Sequence, residues 1–317
     1  MSNLSMDANR NPSFLGRLYK KGKFEKNKAL FVMLIPGVIL AVAFCYIPMI
    51  GIVIAFQDYF PNLGFFKSRW VGLENFRYML ALPTIFQVIW NTVFIAVMKM
   101  IAGLVVPVVF ALLLNELRIN KVKRVIQTAV YMPHFLSWVI LGGILIQILA
   151  PNGGIVNMFV QSLGFKPIFF LGSPKLFPYV MVTTDVWKEF GWGTIIYLAA
   201  ITGVNLDLYE AATIDGASRW ARVVHITLPC IMPTIILMAT LSLGNVLNAG
   251  FEQIFILYSP ITYSTGDIID TLVYRVGMKD MQWGVATAVG LFKSAVSCFL
   301  IVVSYQLARK FANYTIF

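Results

Sequence analysis

Asp185, Lys188, Glu189 and Trp192 stand at i, i+3, i+4 and i+7 within an otherwise apolar stretch. That is the spacing of a single helix face. Asn245, Asn248 and Glu252 repeat it at i, i+3 and i+7, and Asn91, Lys99 and Lys293 interrupt two further apolar runs. Such groups serve two kinds of chemistry. Carboxylates and amines in an apolar setting relay protons or ions. Alternatively, they satisfy the hydroxyls of a sugar beside aromatic platforms, for which Trp187, Trp192, Tyr46 and Phe251 are available. The lysines are the groups that favour an acidic sugar. A structural use competes with both: Asp185 and Lys188 can pair within one helix, whereas Glu252 and Lys293 have no local partner. Bond-breaking chemistry is poorly supplied. No loop carries a nucleophile with a base. His134 and His225 are far apart, and Cys45, Cys230 and Cys298 have neither metal nor disulfide spacing. The cysteines read as small buried hydrophobes.

The elements that position these groups must be membrane helices. Of 317 residues, 59% are hydrophobic and 12% charged, about half the charge of a soluble domain. A spanning helix needs about 20 largely apolar residues. Six stretches qualify: 29–56, 85–114, 125–150, 177–204, 230–257 and 285–307. Pro36, Pro48, Pro107 and Pro133 are the expected kink points. The first stretch has a cleavage-like Ala41-Val42-Ala43, but it runs on past it and follows a long basic tail, so it reads as an uncleaved helix. The expected organisation is a basic tail over 1–28 and one transmembrane domain over 29–317.

The distribution of Lys and Arg orients the chain. Fifteen fall on the side of the N-terminal tail, the loop with Arg118, Lys121, Lys123 and Arg124, the loop with Arg219 and Arg222, and the C-terminal Arg309 and Lys310. Seven fall on the other side. Both termini are therefore expected in the cytoplasm, and the net charge of +11 is topological rather than a nucleic-acid footprint. At ~1.5 Å per residue, Lys188 lies roughly 17 Å, Lys293 roughly 12 Å and Glu252 roughly 8 Å from the outer ends of their spans. That depth suits a cavity loaded from outside. In the first outer loop, Arg69–Leu80 reads as a short interfacial helix, with Trp70 and Tyr78 at headgroup level.

The loop over about 205–229 is on the cytoplasmic side. Asp207 stands three residues before Glu210, a capping-box spacing. Leu208, Ala211 and Ala212 form a small apolar face, and Gly216 can bend the chain. Arg219 and Arg222 are expected near a helix C-terminus, where positive charge suits the dipole. Pro229 and Pro233 lead into the fifth span. The expectation is two short helices hinged near Gly216. A solvated connection, a helix lying on lipid and a docking surface for another protein are all open on these grounds.

The spacing carries a further signal. Glu210-Ala211-Ala212, three residues, Gly216, nine residues, then Ile226-Thr227-Leu228-Pro229 resembles the EAA loop of ATP-binding-cassette importer permeases, at every defining position. "WVGLENF", "WKEFGWGTIIYLAA", "NAGFEQIFILYSP", "DIIDTLVYRVGM" and "ATAVGLFKS" are similar to the carbohydrate branch of that family, and the resemblance covers about 29–317. It implies an all-α membrane protein with six transmembrane helices, the type I importer permease fold and a cytoplasmic coupling helix. The implied function is the permease subunit of an ATP-driven importer for oligosaccharides or polysaccharide fragments in a bacterial cytoplasmic membrane. Glu210, Ala211, Ala212, Asp215, Gly216, Arg219, Ile226, Leu228 and Pro229 are the implied ATPase contacts. Asp185, Lys188, Glu189, Trp192, Asn245, Asn248, Glu252, Lys293 and Lys99 are the candidate substrate path. The implied partners are a second, different permease, a cytoplasmic ATPase dimer and an extracellular solute-binding protein. ATP and Mg would be bound by the ATPase, because this chain has no G-x-x-x-x-G-K-[ST] loop; Gly290–Ser294 lacks the glycine before its lysine. The competing reading is an ion-coupled transporter or channel, which has no use for an EAA loop.

Overall fold

The computed structural model describes residues 27–312. The basic tail therefore lies outside the described residues except for its last two, and the side chains of Arg309 and Lys310 lie outside them as well. The described residues fall into two compact units that divide between Val53 and Ile54.

In the first unit, α1 (Lys28–Ala41) is apolar on every side and buries none of its residues. A helix hydrophobic all round belongs in lipid or against other membrane helices. Pro36 lies inside it without breaking it. Ahead of Pro48 the chain loosens into a π turn, Val42–Tyr46, where Ile47 N–H reaches Val42 O.

The second unit opens with a two-residue antiparallel ladder. β1 (Gln57–Asp58) pairs with β2 (Arg69–Trp70), Gln57 opposite Trp70. Trp70 stacks on Phe56 at 5.9 Å. The interfacial helix expected over Arg69–Leu80 is thus shorter: α2 spans Glu74–Ala81, because the ladder claims the first residues. Asn75 locks the two together by donating to Ala55 O and Gln57 O, both at 3.0 Å.

Next come α3 (Ile85–Glu116), α4 (Asn120–Tyr131), α5 (Trp138–Ile148) and α6 (Ile155–Ser162). Pro107 lies inside α3, which is continuous; neighbouring helices tolerate the lost bond. Pro133 has the opposite outcome. The third expected span, 125–150, is broken: after a 3-10 turn at Met132–Phe135 the chain bends by 108° into α5. Ser137 caps the new helix by accepting from Ile140 N–H. α7 (Phe177–Thr202) is followed by α8 (Leu206–Ile214), bent away by 70°.

α9 (Arg219–Arg222), a π turn over Val223–Thr227 and α10 (Leu228–Leu243) form one 25-residue rod. The π turn lies where Pro229 cannot donate and its ring crowds the preceding turn. The fifth expected span, 230–257, therefore starts earlier and stops at Leu243. The chain then turns through Gly250, at φ +88, into α11 (Phe251–Leu257). α12 (Ile269–Tyr274) and α13 (Trp283–Ala312) complete the chain. Among the described residues four helices are long and apolar enough to cross a membrane, and up to six if each bent pair counts as one span.

Three apolar clusters hold the second unit. Ile95, Leu141, Phe177, Met181 and Ile254 join α3, α5, α7 and α11. Met79, Val88, Leu272 and Val289 join α2, α3, α12 and α13. Val108, Ala111, Tyr197 and Ile231 join α3, α7 and α10 at the other end. The three cysteines, expected to be buried, are exposed. In a membrane chain, lipid and partner helices replace water at such positions, so small apolar groups have no need of the interior.

Candidate functional site

Lys99 reaches from α3 to the break after α10. It is 8% exposed, and its Nζ donates to Ala249 O at 2.8 Å, to Asp185 Oδ1 at 3.1 Å and to Gln253 Oε1. All three ammonium donors are used. Gly250 makes room for this: a Cβ there would lie 2.7 Å from Lys99 Nζ, and its positive φ disfavours other residues. Gln253 passes the contact on, donating to Met181 O at 2.9 Å and Thr184 Oγ1 at 2.7 Å. The polar side chains thus replace the backbone bonds that the broken helix gives up.

The expected Asp185–Lys188 pair does not form. Asp185 takes Lys99, and Lys188 donates to Glu189 Oε1 at 2.7 Å and His134 O at 3.0 Å. Its ammonium also lies over the Trp138 ring. The other oxygen of Glu189 sits 2.7 Å from His134 Nδ1. A carboxylate only accepts, so the proton is on Nδ1. The His134 ring stacks on Trp192 with centroids 4.6 Å apart and planes 4° apart. Asp185, Lys188, Glu189 and Trp192 do share a face of α7, and the 3-10 turn after α4 completes it. Glu189 remains 43% exposed, and Trp187 and Trp192 are exposed.

Lys293 belongs elsewhere. Its Nζ donates to both oxygens of Asp270, at 2.6 and 2.7 Å. The pair lies in a groove of about 550 Å³ between α12 and α13, which none of the α7 residues lines. Each path lysine is therefore matched by a carboxylate, so the lysines give no free positive charge for an acidic sugar. Asn245, Asn248 and Glu252 do not share a helix face, because the helix ends before them. Asn248 Oδ1 accepts from Gly250 N–H at 3.2 Å, and Glu252 is exposed in the first turn of α11. Asn91 is structural: it donates to Ser264 O and Asp267 O.

Sequence reasoning missed His134, Gln253 and Asp270. His134 follows the kinking Pro133, where freed carbonyls need donors, and that adjacency was the available signal. In the segment between α11 and α13, Asp267, almost fully buried, holds Arg275 through two bonds of 3.1 and 2.6 Å. The bonded carboxylate raises the Arg275 pKa, and the guanidinium lies over Tyr263. Burial and a hydrogen bond with Tyr263 push Tyr258 up to about 12. Among the described residues no three of His, Cys, Asp and Glu gather to hold a metal.

The loop after α7 is built as two short pieces. Asn205, not Asp207, caps α8, accepting from Asp207 N–H at 3.0 Å. Asp207 sits two residues past the cap position, inside the first turn. At the other end Gly216, at φ +76, donates to Thr213 O and Ala217 to Ala212 O. This is a Schellman closure, which favours glycine. Ser218 caps α9. Arg219 and Arg222 therefore lie at the N-terminal end of the long rod, not at a helix C-terminus, so dipole stabilisation does not explain them. Arg222 instead bridges the two pieces, donating to Thr213 Oγ1 at 2.9 Å. Tyr209 OH lies 2.9 Å from Thr227 Oγ1. Glu210, Ala211, Asp215 and Gly216 are exposed, as are Leu206, Trp220 and Ile214, the last at 86%. Ala212 and Ile226 are half-buried, and so is Leu228.

Residues 103–313 match the family described as binding-protein-dependent transport system inner membrane component. The chain is 42% identical to the polygalacturonan/rhamnogalacturonan transport system permease protein YteP of Bacillus subtilis (strain 168), over 92% of this chain and 91% of that protein. It superimposes on a chain of a bacterial ABC transporter involved in the import of the acidic polysaccharide alginate, with a TM-score of 0.84 and 36% identity, covering 93% of this chain and 99% of that one. A second structure, of a bacterial alginate ABC transporter in complex with an alginate pentasaccharide-bound periplasmic protein, gives a TM-score of 0.83 and 35% identity, over 93% and 98%.

Proposed function

From the premise that this chain belongs to the binding-protein-dependent transport system inner membrane components, we propose that it is the permease subunit of an ATP-driven importer for oligosaccharides or polysaccharide fragments. The all-α fold is that of the family's permeases. The observation that carries the reading is the exposed pair α8–α9. Its Gly216 closure, Thr213–Arg222 bridge and Glu210-Ala211-Ala212 face form a braced knob at the foot of α7 and α10. Such a knob can pass a push to both helices. Rigid-body motion of packed helices then changes which side a cavity opens to.

The proposed division of labour follows. A partner ATPase dimer binds ATP and Mg and receives α8–α9. A second, different permease covers the exposed Glu189, a carboxylate unsuited to lipid, and with it the neighbouring Trp187 and Trp192. An extracellular solute-binding protein delivers the saccharide, and both termini face the cytoplasm. The relatives that handle acidic polysaccharides support this substrate class; the paired lysines add no support of their own.

Uptake of labelled oligosaccharides tests the reading. Cells carrying the chain and its partners should take up oligogalacturonides or neutral oligosaccharides in a vanadate-sensitive manner, and the purified chain alone should hydrolyse no ATP. Uptake that persists in vanadate and collapses with a protonophore identifies an ion-coupled transporter instead.

A further inference from the structure

The feature that the permease reading leaves unused is a cavity beside the coupling loop. It measures about 540 Å³ and is lined by residues that include Glu116, Arg118, Tyr209, Arg219 and Arg222. Three guanidiniums face one carboxylate. Among the described residues none of the three arginines has an ion-pair partner. Arg222 spends one donor on Thr213, while Arg118 and Arg219 have no side-chain hydrogen bond. Tyr209 is engaged with Thr227. Lys121, Lys123 and Arg124 follow closely in the chain. The walls come from the C-terminal ends of α3 and α7 and the N-terminal ends of α8 and α9. Their dipole ends are of both signs and offset one another, so the arginines set the potential.

The rest of the lining is Asn115 and Thr202 together with the apolar Leu117, Ile201, Val204 and Leu206. Leu117 also begins a strip. Val105, Val109 and Leu113 recur every fourth residue on α3, Leu117 follows as the extended residue just past its end, and all four are exposed. Residues at i and i+4 stack on one helix face, so the helical part of the strip runs roughly 12 Å along α3 at 1.5 Å per residue. α3 has 32 residues, about 48 Å, against a hydrocarbon core of about 30 Å. Its end near Arg118 can therefore reach the headgroup layer while Val105 stays within the core.

We propose that this cavity binds the phosphate of an anionic phospholipid, with one acyl chain lying along Val105, Val109, Leu113 and Leu117. The shared chemistry is a phosphate held by planar guanidiniums, which take two of its oxygens at once. A free phosphate satisfies the arginines but leaves the strip uncovered. The site rests on the cytoplasmic placement proposed above, where anionic headgroups collect and basic pockets between helices bind them.

The test is lipid retention, which does not depend on transport or on which side faces the cytoplasm. The importer is extracted whole through a tag on this chain and placed in phosphatidylcholine nanodiscs with a minor fraction of phosphatidylglycerol. Native mass spectrometry counts the retained phosphatidylglycerol. The wild type should retain it over phosphatidylcholine, and R118Q/R222Q should weaken retention about 30-fold, as expected for two basic groups at a membrane surface. R118K/R222K, which keeps the charge, should retain most of the binding and controls for folding. Equal retention in wild type and R118Q/R222Q overturns the proposal. So does displacement of the lipid by millimolar inorganic phosphate, which assigns the cavity to a soluble anion.

Discussion

Lys99 and Asp185 meet at 3.1 Å across the α3–α7 packing, and the same ammonium holds the carbonyl of Ala249, where the fifth span breaks. One side chain thus ties two continuous helices to a discontinuous one. Removing one partner of a buried pair typically costs about 3–5 kcal/mol, since it leaves the other charge stranded. Asp185 is one-quarter exposed, which places this pair at the lower end. Lys99→Met should lower thermal stability in detergent sharply and abolish uptake. K99M/D185L, with both charges gone, should recover most of the stability. If K99M alone melts like the wild type, the latch is not structural.

Gly250→Ala tests the same joint from the backbone. The substitution meets two obstacles, a positive φ and a Cβ 2.7 Å from Lys99 Nζ. The left-handed conformation alone costs roughly 1–2 kcal/mol for an L-residue. A destabilisation above that range, seen as a lower melting temperature, reports displacement of Lys99. A change within it leaves Lys99 in place.

In the turn between α8 and α9, Gly216→Val places a β-branched residue at φ +76 with nothing within 4 Å of the new Cβ. The strain is therefore local to the turn between α8 and α9. Uptake should fall at least about tenfold, the equivalent of about 1.4 kcal/mol, while membrane insertion and yield stay normal. Normal transport in this variant removes the coupling role of the turn.

These positions also show what sequence could and could not deliver. Helix runs were readable wherever apolar residues ran on without a break, as in α3 and α13. The Gly216 turn was readable because a glycine four residues past the last position of a helical face has few uses. The break at Leu243 was not readable: "LSLGNVLNAG" is apolar enough to pass for helix, and the donor that takes up the Ala249 carbonyl beyond the break is Lys99, 150 residues away. The Asp185–Lys188 pair failed for a related reason. Spacing within one helix ranks local partners, while packing against α3 gave Asp185 a distant partner in Lys99 and left Lys188 to Glu189 and the His134 carbonyl. Asn205 won the cap from Asp207 by two residues, a matter of where Gly203 ends α7.

The segment between α11 and α13 gives a prediction independent of transport. Asp267 is nearly fully buried, with two bonds from Arg275 and one from Thr271 Oγ1. Asp267→Asn keeps the shape but removes the charge that holds the guanidinium. About 3 kcal/mol of stability should be lost, and the 258–279 segment should become the first site of limited proteolysis. Wild-type proteolysis of the variant shows that the Tyr258, Tyr263 and Arg275 stack suffices without the carboxylate.

Glu189 is where a path role and a scaffold role can be separated. It bridges Lys188 and His134, and His134 in turn braces the Trp192 ring. Glu189→Gln keeps an acceptor for Lys188 but returns an amide to His134, so the imidazole must change its tautomer or turn. If the carboxylate only scaffolds, stability drops and the saccharide concentration for half-maximal uptake stays put. If the exposed edge of Trp192 is a sugar platform positioned by this chain of contacts, that concentration should rise about tenfold while the melting temperature shifts by only a few degrees. Trp192→Phe, which keeps a ring for His134 to stack on, should then produce the same rise with His134 and Glu189 untouched. A normal half-maximal concentration in both variants takes this face of α7 out of the translocation path.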